Sequence, residues 1–155
     1  MGKKKETEVE EVVEDVEVKA SGNIHQRLNK VMGEVNYIQK DKEISFGNGR
    51  SYTVVGHDAV TELIHPHLVK HGINLIPSIT SVDQQGNRTR VDMAFRWINI
   101  DEPEDYFVTT AFAYGLDSQD KGIGKAWSIC QRFTVLKTLH LMTGDKDIEE
   151  YDIDA

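Results

Sequence analysis

The sequence predicts an α+β fold: a three-stranded antiparallel β-meander followed by a long helix, with an N-terminal helix, a small hairpin and a second helix ahead of them. Three observations carry this. Strand-like runs at 73–82, 89–100 and 106–114 are separated only by QQGN and DEPED turns, so successive runs are expected to pair. Beyond them, apolar residues recur at spacings of three and four, the period of a helix face. Ahead of them, two helical patterns flank the turn-forming triplet Gly47-Asn48-Gly49.

Each element has its own reason. The first helix is expected over about 23–37, where Ile24, Leu28, Val31 and Val35 fall at helical spacing and Asn23 is suited to cap the start. The stretch KDKEISFGNGRSYTVVG places its Gly-Asn-Gly turn between two short β-prone runs, which predicts the hairpin. From Asp58, the residues Val60, Leu63, Ile64, Leu68 and Val69 mark a second helix closed by Lys70, His71 and Gly72. Pro66 is expected to bend or divide it. In the middle strand Val91, Met93, Phe95 and Trp97 point one way and Arg88, Arg90, Asp92 and Arg96 the other, giving a core face and a polar, basic face. The last helix should run to about Met142, burying Ile123, Trp127, Cys130, Phe133 and Leu136 near one side.

The 155 residues suit one domain, read as a flexible acidic N-terminal tail (1–20), a folded domain (21–145) and an acidic C-terminal tail (146–155). An amphipathic or edge-strand segment at Val9 to Val18 is the alternative for the first tail. The net charge of -8 would argue against a nucleic-acid partner were it evenly spread, but residues 1–20 carry -3 and residues 143–155 carry -5. The central body is neutral, with 13 basic and 13 acidic residues, so a basic surface is available if the charges segregate by face. No apolar run approaches the roughly 20 residues that span a bilayer, and the lysines at the start precede no apolar block, so a cytoplasmic protein with no membrane partner is expected. Cys130 is the single cysteine, which leaves neither an intramolecular disulfide nor a multi-cysteine zinc site.

Catalytic and metal chemistry finds little support. His67 and His71 stand at i and i+4 with His65 nearby, but no HExxH accompanies them, and exposed or capping histidines are the better reading. Asp101, Glu102, Glu104 and Asp105 occupy a proline-containing turn, where acids are ordinary. Gly122-Ile123-Gly124-Lys125 lacks the spacing and the following Ser or Thr of a phosphate loop. The expectation is a protein that is not an enzyme and has no metal and no cofactor.

The block Asp120, Lys121, Gly122, Ile123, Gly124, Lys125 and Ala126, continuing into Leu136-Lys137 and closing with Thr143-Gly144-Asp145, resembles the Erf (essential recombination function) family of phage single-strand DNA annealing proteins. NIHQRLNKVMGEV is similar to the family's opening helix, and YTVVGHDAVTELIHPHLVKHGINLIPSI to its aromatic strand, helix and His-Gly-hydrophobic turn. The resemblance covers about 22–147. Tyr52 is the lone aromatic where the family has more, and Trp127 stands where smaller residues are commoner. The resemblance implies a β-β-β-α core and ATP-independent annealing of single-stranded DNA by a homo-oligomer, as a ring or helical assembly. It also implies residence in the bacterial host cytoplasm, with a host or phage replication or recombination protein as a further candidate partner. A passive single-strand binder or partner-recruiting protein is the alternative.

Under that resemblance, cations on the last helix become DNA contacts. Lys121, Lys125 and Arg132 fall within about 40° on a wheel of 100° per residue, with Ser128 on their flank. Gly122 and Gly124 would let a phosphate approach the helix start; the alternative is a plain turn with solvated lysines. Arg88, Arg90 and Arg96 are read as a second wall of a groove beneath that helix, or as ordinary charge on a solvated sheet. Tyr106, Phe112 and Tyr114 alternate on one face; core filling is preferred over base stacking, and contact through the DNA backbone is the expected mode. The acidic C-terminal tail either shields the groove, recruits a basic partner or is simply solvated.

Overall fold

The computed structural model describes residues 19–38 and 56–143, together with the backbone of 42–46 and 50–54. Residues 1–18 of the tail expected at 1–20, the whole of the tail expected at 146–155, and the Gly47-Asn48-Gly49 turn lie outside the described residues. Helix α1 spans Ile24–Glu34. Its start is held by a reciprocal cap in which the Gln26 backbone N–H donates to Asn23 Oδ1 and the Asn23 N–H donates to Gln26 Oε1, each at 2.9 Å. Strands β1 (Lys42–Phe46) and β2 (Arg50–Val54) form the antiparallel hairpin, with Phe46 facing Arg50.

Helix α2 runs unbroken from His57–His71 with Pro66 inside it, so of the two expected effects of proline division does not occur. Pro66 and Glu62 are both exposed, so the carbonyl that loses its i+4 donor faces solvent instead of the core. Gly72 then turns the chain with φ of 63°, in the left-handed region that glycine adopts without steric cost.

The meander consists of β3 (Ile73–Gln85), β4 (Arg88–Asn99) and β5 (Tyr106–Leu116), antiparallel and in the order β3-β4-β5. Thr80 is an extra residue in β3, because Ile79 faces Met93 while Ser81 faces Asp92. Thr89, Val91, Met93, Phe95, Trp97 and Asn99 of β4 are buried on one face. Trp97 joins Ile24, Val31, Val60 and Ile64 in a cluster shared with α1 and α2, while Val91, Met93 and Phe95 pack with Ala113, Ala126 and Cys130.

Helix α3 covers Gly122–Thr138 and corrects the expected apolar face at two positions, while Cys130 is buried and Trp127 and Leu136 pack against the core as expected. Its buried residues are Gly122, Ala126, Cys130, Thr134 and Val135, whereas Ile123 and Phe133 are 43% and 45% exposed. Four of the buried positions are small and recur every four residues, which lets the helix backbone lie directly on the sheet. A Cβ added at Gly115 would sit 1.9 Å from the Gly122 carbonyl oxygen, and one added at Gly122 would sit 2.7 Å from Thr89 Oγ1. At that separation larger side chains are displaced to the flanks. The helix also stops short of Met142: His140 adopts φ of 51°, and Leu141 and Met142 turn away to meet the segment after α1. There the Ile38 N–H donates to the Met142 carbonyl and the Met142 N–H to the Asn36 carbonyl, each at 3.0 Å.

The acidic turn after β4 serves the fold. The buried Arg27 guanidinium donates to Asp101 Oδ2 (2.7 Å) and to the carbonyls of Gly22 (2.7 Å), Gly72 (3.2 Å) and His71 (3.3 Å). Asp105 accepts from the Ile24 N–H at 2.8 Å and from Asn99 Nδ2 at 3.1 Å, which fastens the start of α1 to the turn. Among the described residues no helix is long and apolar enough to cross a membrane.

Candidate nucleic-acid interface

Strand alternation that sends Val91, Met93, Phe95 and Trp97 under the helices sends Arg88, Arg90, Asp92 and Arg96 to the opposite face. In the β4–β5 register, Arg88 faces Leu116, Arg90 faces Tyr114, Asp92 faces Phe112, Arg96 faces Val108 and Ile98 faces Tyr106. The alternate β5 residues are all open to solvent, Tyr106 at 43%, Phe112 at 54% and Tyr114 at 37% exposure. These rings, expected to fill a core, lie outside it. The β5 residues facing inward are Phe107, Thr109, Ala111, Ala113 and Gly115; Phe107 stacks on Trp97 at 5.9 Å, and Trp97 Nε1 donates to Thr109 Oγ1 at 3.0 Å.

The arginines and rings are not merely adjacent. Arg88 Cζ stands 3.8 Å from the Tyr114 ring centre, Arg90 Cζ 4.3 Å from that of Phe112, and Arg96 Cζ 4.7 Å from that of Tyr106. In every case the guanidinium leans over the diagonal neighbour, two residues before its register partner, within the reach of long side chains on a twisted pair of strands. Each such contact contributes about 0.5–1 kcal/mol at an exposed site and holds a planar cation in a defined place. Arg90 is further held by Asp92, through Nη2 to Oδ1 at 3.0 Å and Nε to Oδ2 at 3.2 Å, and Ser81 Oγ donates to Asp92 at 2.9 Å. Arg90, and then Ser81, keep the Asp92 carboxyl below the usual carboxylate range.

The helix residues predicted for DNA lie elsewhere. Lys121 is exposed at the start of α3, and Lys125 Nζ donates to Asp117 Oδ2 (2.8 Å) and to the Leu116 carbonyl (2.9 Å). Asp117 Oδ1 also accepts from the Gln119 N–H at 2.9 Å and the Lys121 N–H at 3.4 Å. Lys125, and then the Gln119 N–H, lower its carboxyl to about 2. The chain's own carboxylate thus takes the anion role that the sequence assigned to a phosphate here. Gly122 is buried against Thr89 and Gly115, while a Cβ at Gly124 would meet nothing within 4 Å. Ser128 and Arg132 are half-buried, and Arg132 lines a cleft between α2 and α3.

The expected groove, with strand arginines beneath the helix, is therefore corrected: α3 packs on the face of β4 that the arginines leave. Arg88 and Arg90 share one end of the open face, near Leu116 and the start of α3, and Arg96 stands toward the other end. The three rings were visible in the sequence as an alternating set. What identifies their face is their parity against the arginines once β4 and β5 are paired.

The histidines meet a carboxylate. Glu34, at the end of α1, lies 2.6 Å from Lys70 Nζ, 2.7 Å from His67 Nδ1 and 2.9 Å from His71 Nε2. Lys70, then His67 and His71, lower its carboxyl to about 2. The cluster ties α1 to α2.

Comparison with family models matches residues 24–154 to the ERF superfamily. No curated protein matches the chain.

Proposed function

Because the chain belongs to the ERF superfamily, a family of phage recombination and single-strand DNA annealing, we propose that it binds single-stranded DNA on the open sheet face and anneals complementary strands as a homo-oligomer. The reaction uses no ATP, metal or cofactor, and the protein is not an enzyme. The observation that supports this reading is the ladder of Arg88, Arg90 and Arg96 leaning over Tyr114, Phe112 and Tyr106 on a face that no described helix covers. Cations along a track with exposed rings between them match a single strand, whose phosphates need charge and whose bases have faces to stack.

Stacking of a base on Phe112 or Tyr114 contributes about 1–3 kcal/mol without regard to sequence. It also leaves the Watson-Crick edge of the base unused. Contact through the phosphates, expected from the sequence, is thereby joined by contact through base faces, and both leave pairing open. Base pairing with the second strand then supplies the driving force, and the protein lowers the entropic cost by holding the first strand extended.

Oligomerisation follows from size. The 11 residues of β5 span roughly 36 Å at about 3.3 Å per residue, which accommodates only a short stretch of extended strand. A stable duplex needs a longer one, so several copies must align their faces.

Complementary oligonucleotides mixed with the protein in EDTA and without ATP test the reading. Accelerated pairing, lost in the double variant Arg88→Ala, Arg90→Ala, is expected. Binding without acceleration would leave a passive single-strand binder, and strand loss on adding Mg²⁺ would indicate a nuclease.

A further inference from the structure

Strands β3 and β5 are the two edges of the meander, and they differ in what they offer to another strand. On β5 the phase of the ladder is set by two bonds: the Asn99 N–H donates to the Asp105 carbonyl at 3.0 Å, and the Asp117 N–H to the Asn87 carbonyl at 2.8 Å. Both fall on the β4–β5 register, along which hydrogen-bonded and non-bonded pairs alternate. Phe107, Thr109, Ala111, Ala113 and Gly115 therefore bond to β4, and the backbone N–H and C=O groups of Tyr106, Val108, Thr110, Phe112, Tyr114 and Leu116 point away from it. The Leu116 carbonyl is taken by Lys125 Nζ at 2.9 Å. The outward backbone groups of Tyr106, Val108, Thr110, Phe112 and Tyr114 meet no partner among the described residues.

A free edge is ordinarily protected against pairing with another chain. Strand β3 is protected. Its own ladder phase, set by the Ile100 N–H on the Gly72 carbonyl at 3.1 Å, turns Pro77 outward, where it offers no N–H, and the extra residue Thr80 breaks the register. Strand β5 lacks these devices. YFVTTAFAYGL has no proline and no charged residue, and its register with β4 is unbroken from Tyr106 to Leu116. Its inward residues Phe107, Thr109 and Ala111 are only half-buried.

The free set also fits itself. Tyr106, Val108, Thr110, Phe112 and Tyr114 are symmetric about Thr110. A second β5 laid antiparallel with Thr110 opposite Thr110 sets Val108 against Phe112 and Tyr106 against Tyr114, and every outward group of the set gains a partner. Aromatic with β-branched and Thr with Thr are favourable cross-strand neighbours, and no like charges meet. The two-fold axis of such a pair stands perpendicular to the sheet, so the arginines of both copies emerge on one face. The two β4 strands are then three strand spacings apart, about 14 Å, beyond the roughly 8–10 Å screening length of moderate salt.

We infer that two copies of this chain join edge to edge through β5, in the register centred on Thr110, to form one sheet with a shared arginine face. The contact is self-complementary and closes at two copies. It deepens the proposed homo-oligomer, and its use in annealing rests on that reading, but the pairing itself needs no DNA.

Disulfide trapping in the full chain, without DNA, tests it. In this register the exposed Thr110 stands about 5.5 Å from its counterpart, inside disulfide reach. Val108 and Phe112 stand about 14 Å from theirs, at about 3.4 Å per residue, outside that reach. Under mild oxidation Thr110→Cys should give covalent dimers at several-fold higher yield than Val108→Cys or Phe112→Cys, and the wild type, whose Cys130 is buried, should give none. Thr110→Lys sets like charges against each other at the axis and should lower the weight-average mass in sedimentation at least twofold. Comparable yields from the three cysteine variants, or an unchanged mass in Thr110→Lys, would overturn the inference. Neither readout involves DNA, so an intact dimer that ignores single strands would refute the proposed DNA reading alone.

Discussion

Replacing Arg88, Arg90 and Arg96 together with alanine separates the open sheet face from every other surface as the DNA site. For single strands each neutralised phosphate contributes about 0.7 to the slope of log affinity against log salt, so three lost contacts should flatten that slope by about 2 units. Between 50 and 200 mM salt the wild type should therefore lose roughly 16-fold more affinity than the triple variant. The comparison needs only fluorescence anisotropy with a labelled oligothymidine at several salt concentrations, repeated with a mixed sequence to show that the loss is independent of base. Phe112→Ala is the complementary perturbation. Removing an exposed ring takes away stacking worth about 1–3 kcal/mol but no charge, so affinity should fall with the salt slope unchanged. Asp92→Asn acts in the opposite direction: it releases Arg90 from its bidentate partner and should raise both affinity and slope. The triple variant also loses its three ring contacts, at about 0.5–1 kcal/mol each, so a urea titration should show it destabilised by no more than about 1.5–3 kcal/mol and still folded at the binding conditions. A triple variant with wild-type affinity and wild-type slope would refute the placement of DNA on this face.

Three further outcomes follow from the packing. Gly115→Ala should unseat α3 at a cost of about 1–3 kcal/mol, the range for overpacking a tight contact, because its Cβ falls on the Gly122 carbonyl; Gly124→Ala, in open space, should stabilise by about 0.5–1 kcal/mol in chemical denaturation and leave DNA affinity unchanged. A loss of affinity in Gly124→Ala would return the phosphate site to the helix start. Arg27→Ala should cost about 3–5 kcal/mol in the same assay, since it strips a buried cation from Asp101 and three carbonyls; an effect below 1 kcal/mol would mean that the bridge is not formed. For Asp117, the folded carboxyl titrates at about 2 and the unfolded one near 3.9, so its contribution to stability is present above the unfolded value and lost as pH falls through the folded one. Carboxyl-detected NMR should show Asp117 ionised at pH 3 and, in Lys125→Met, titrating nearer the ordinary range.

The order of elements was legible because it rests on local pattern. Strand β4 alternates large apolar residues with arginines over its whole length, and its face assignment could be read directly. Helix α3 was read correctly as a helix, and correctly at Cys130, Trp127 and Leu136, which are buried or packed against the core, but incorrectly at Ile123 and Phe133. Hydrophobic spacing favours Ile123 and Phe133, but the contact is made by Gly122, Ala126, Cys130 and Thr134, because Gly115 on another element lets the backbones approach. That is a non-local cause with no trace in the helix sequence. Arg27 is a similar case. An arginine within a helix reads as solvated charge, and only the convergence of Gly22, His71-Gly72 and Asp101 from three separate segments makes it a buried clasp. The rings of β5 were seen as an alternating set but assigned to the core, since alternation identifies a face without saying which one. Pairing decides it: Phe107 lies opposite Trp97 and goes inward, which sends Tyr106, Phe112 and Tyr114 outward to the arginines.

On the proposed reading, the shape of the interface bears on the difference between holding a strand and pairing it. A cleft walled on both sides binds a single strand well but shields the bases from a second one. The arginine face is a sheet surface with no opposing wall among the described residues, and its cations are distributed along one strand instead of converging on a pocket. A base lying on Phe112 or Tyr114 is held by its face, with its pairing edge toward solvent. Affinity must also stay moderate, since a duplex gains nothing from stacking on those rings once its bases stack on each other. Pairing therefore costs the protein its ring contacts while the phosphate contacts persist, so Phe112→Ala should weaken capture of the single strand more than retention of the duplex. If the variant lowers both affinities equally, the rings do not distinguish the two states, and release of the annealed product must depend on the assembly.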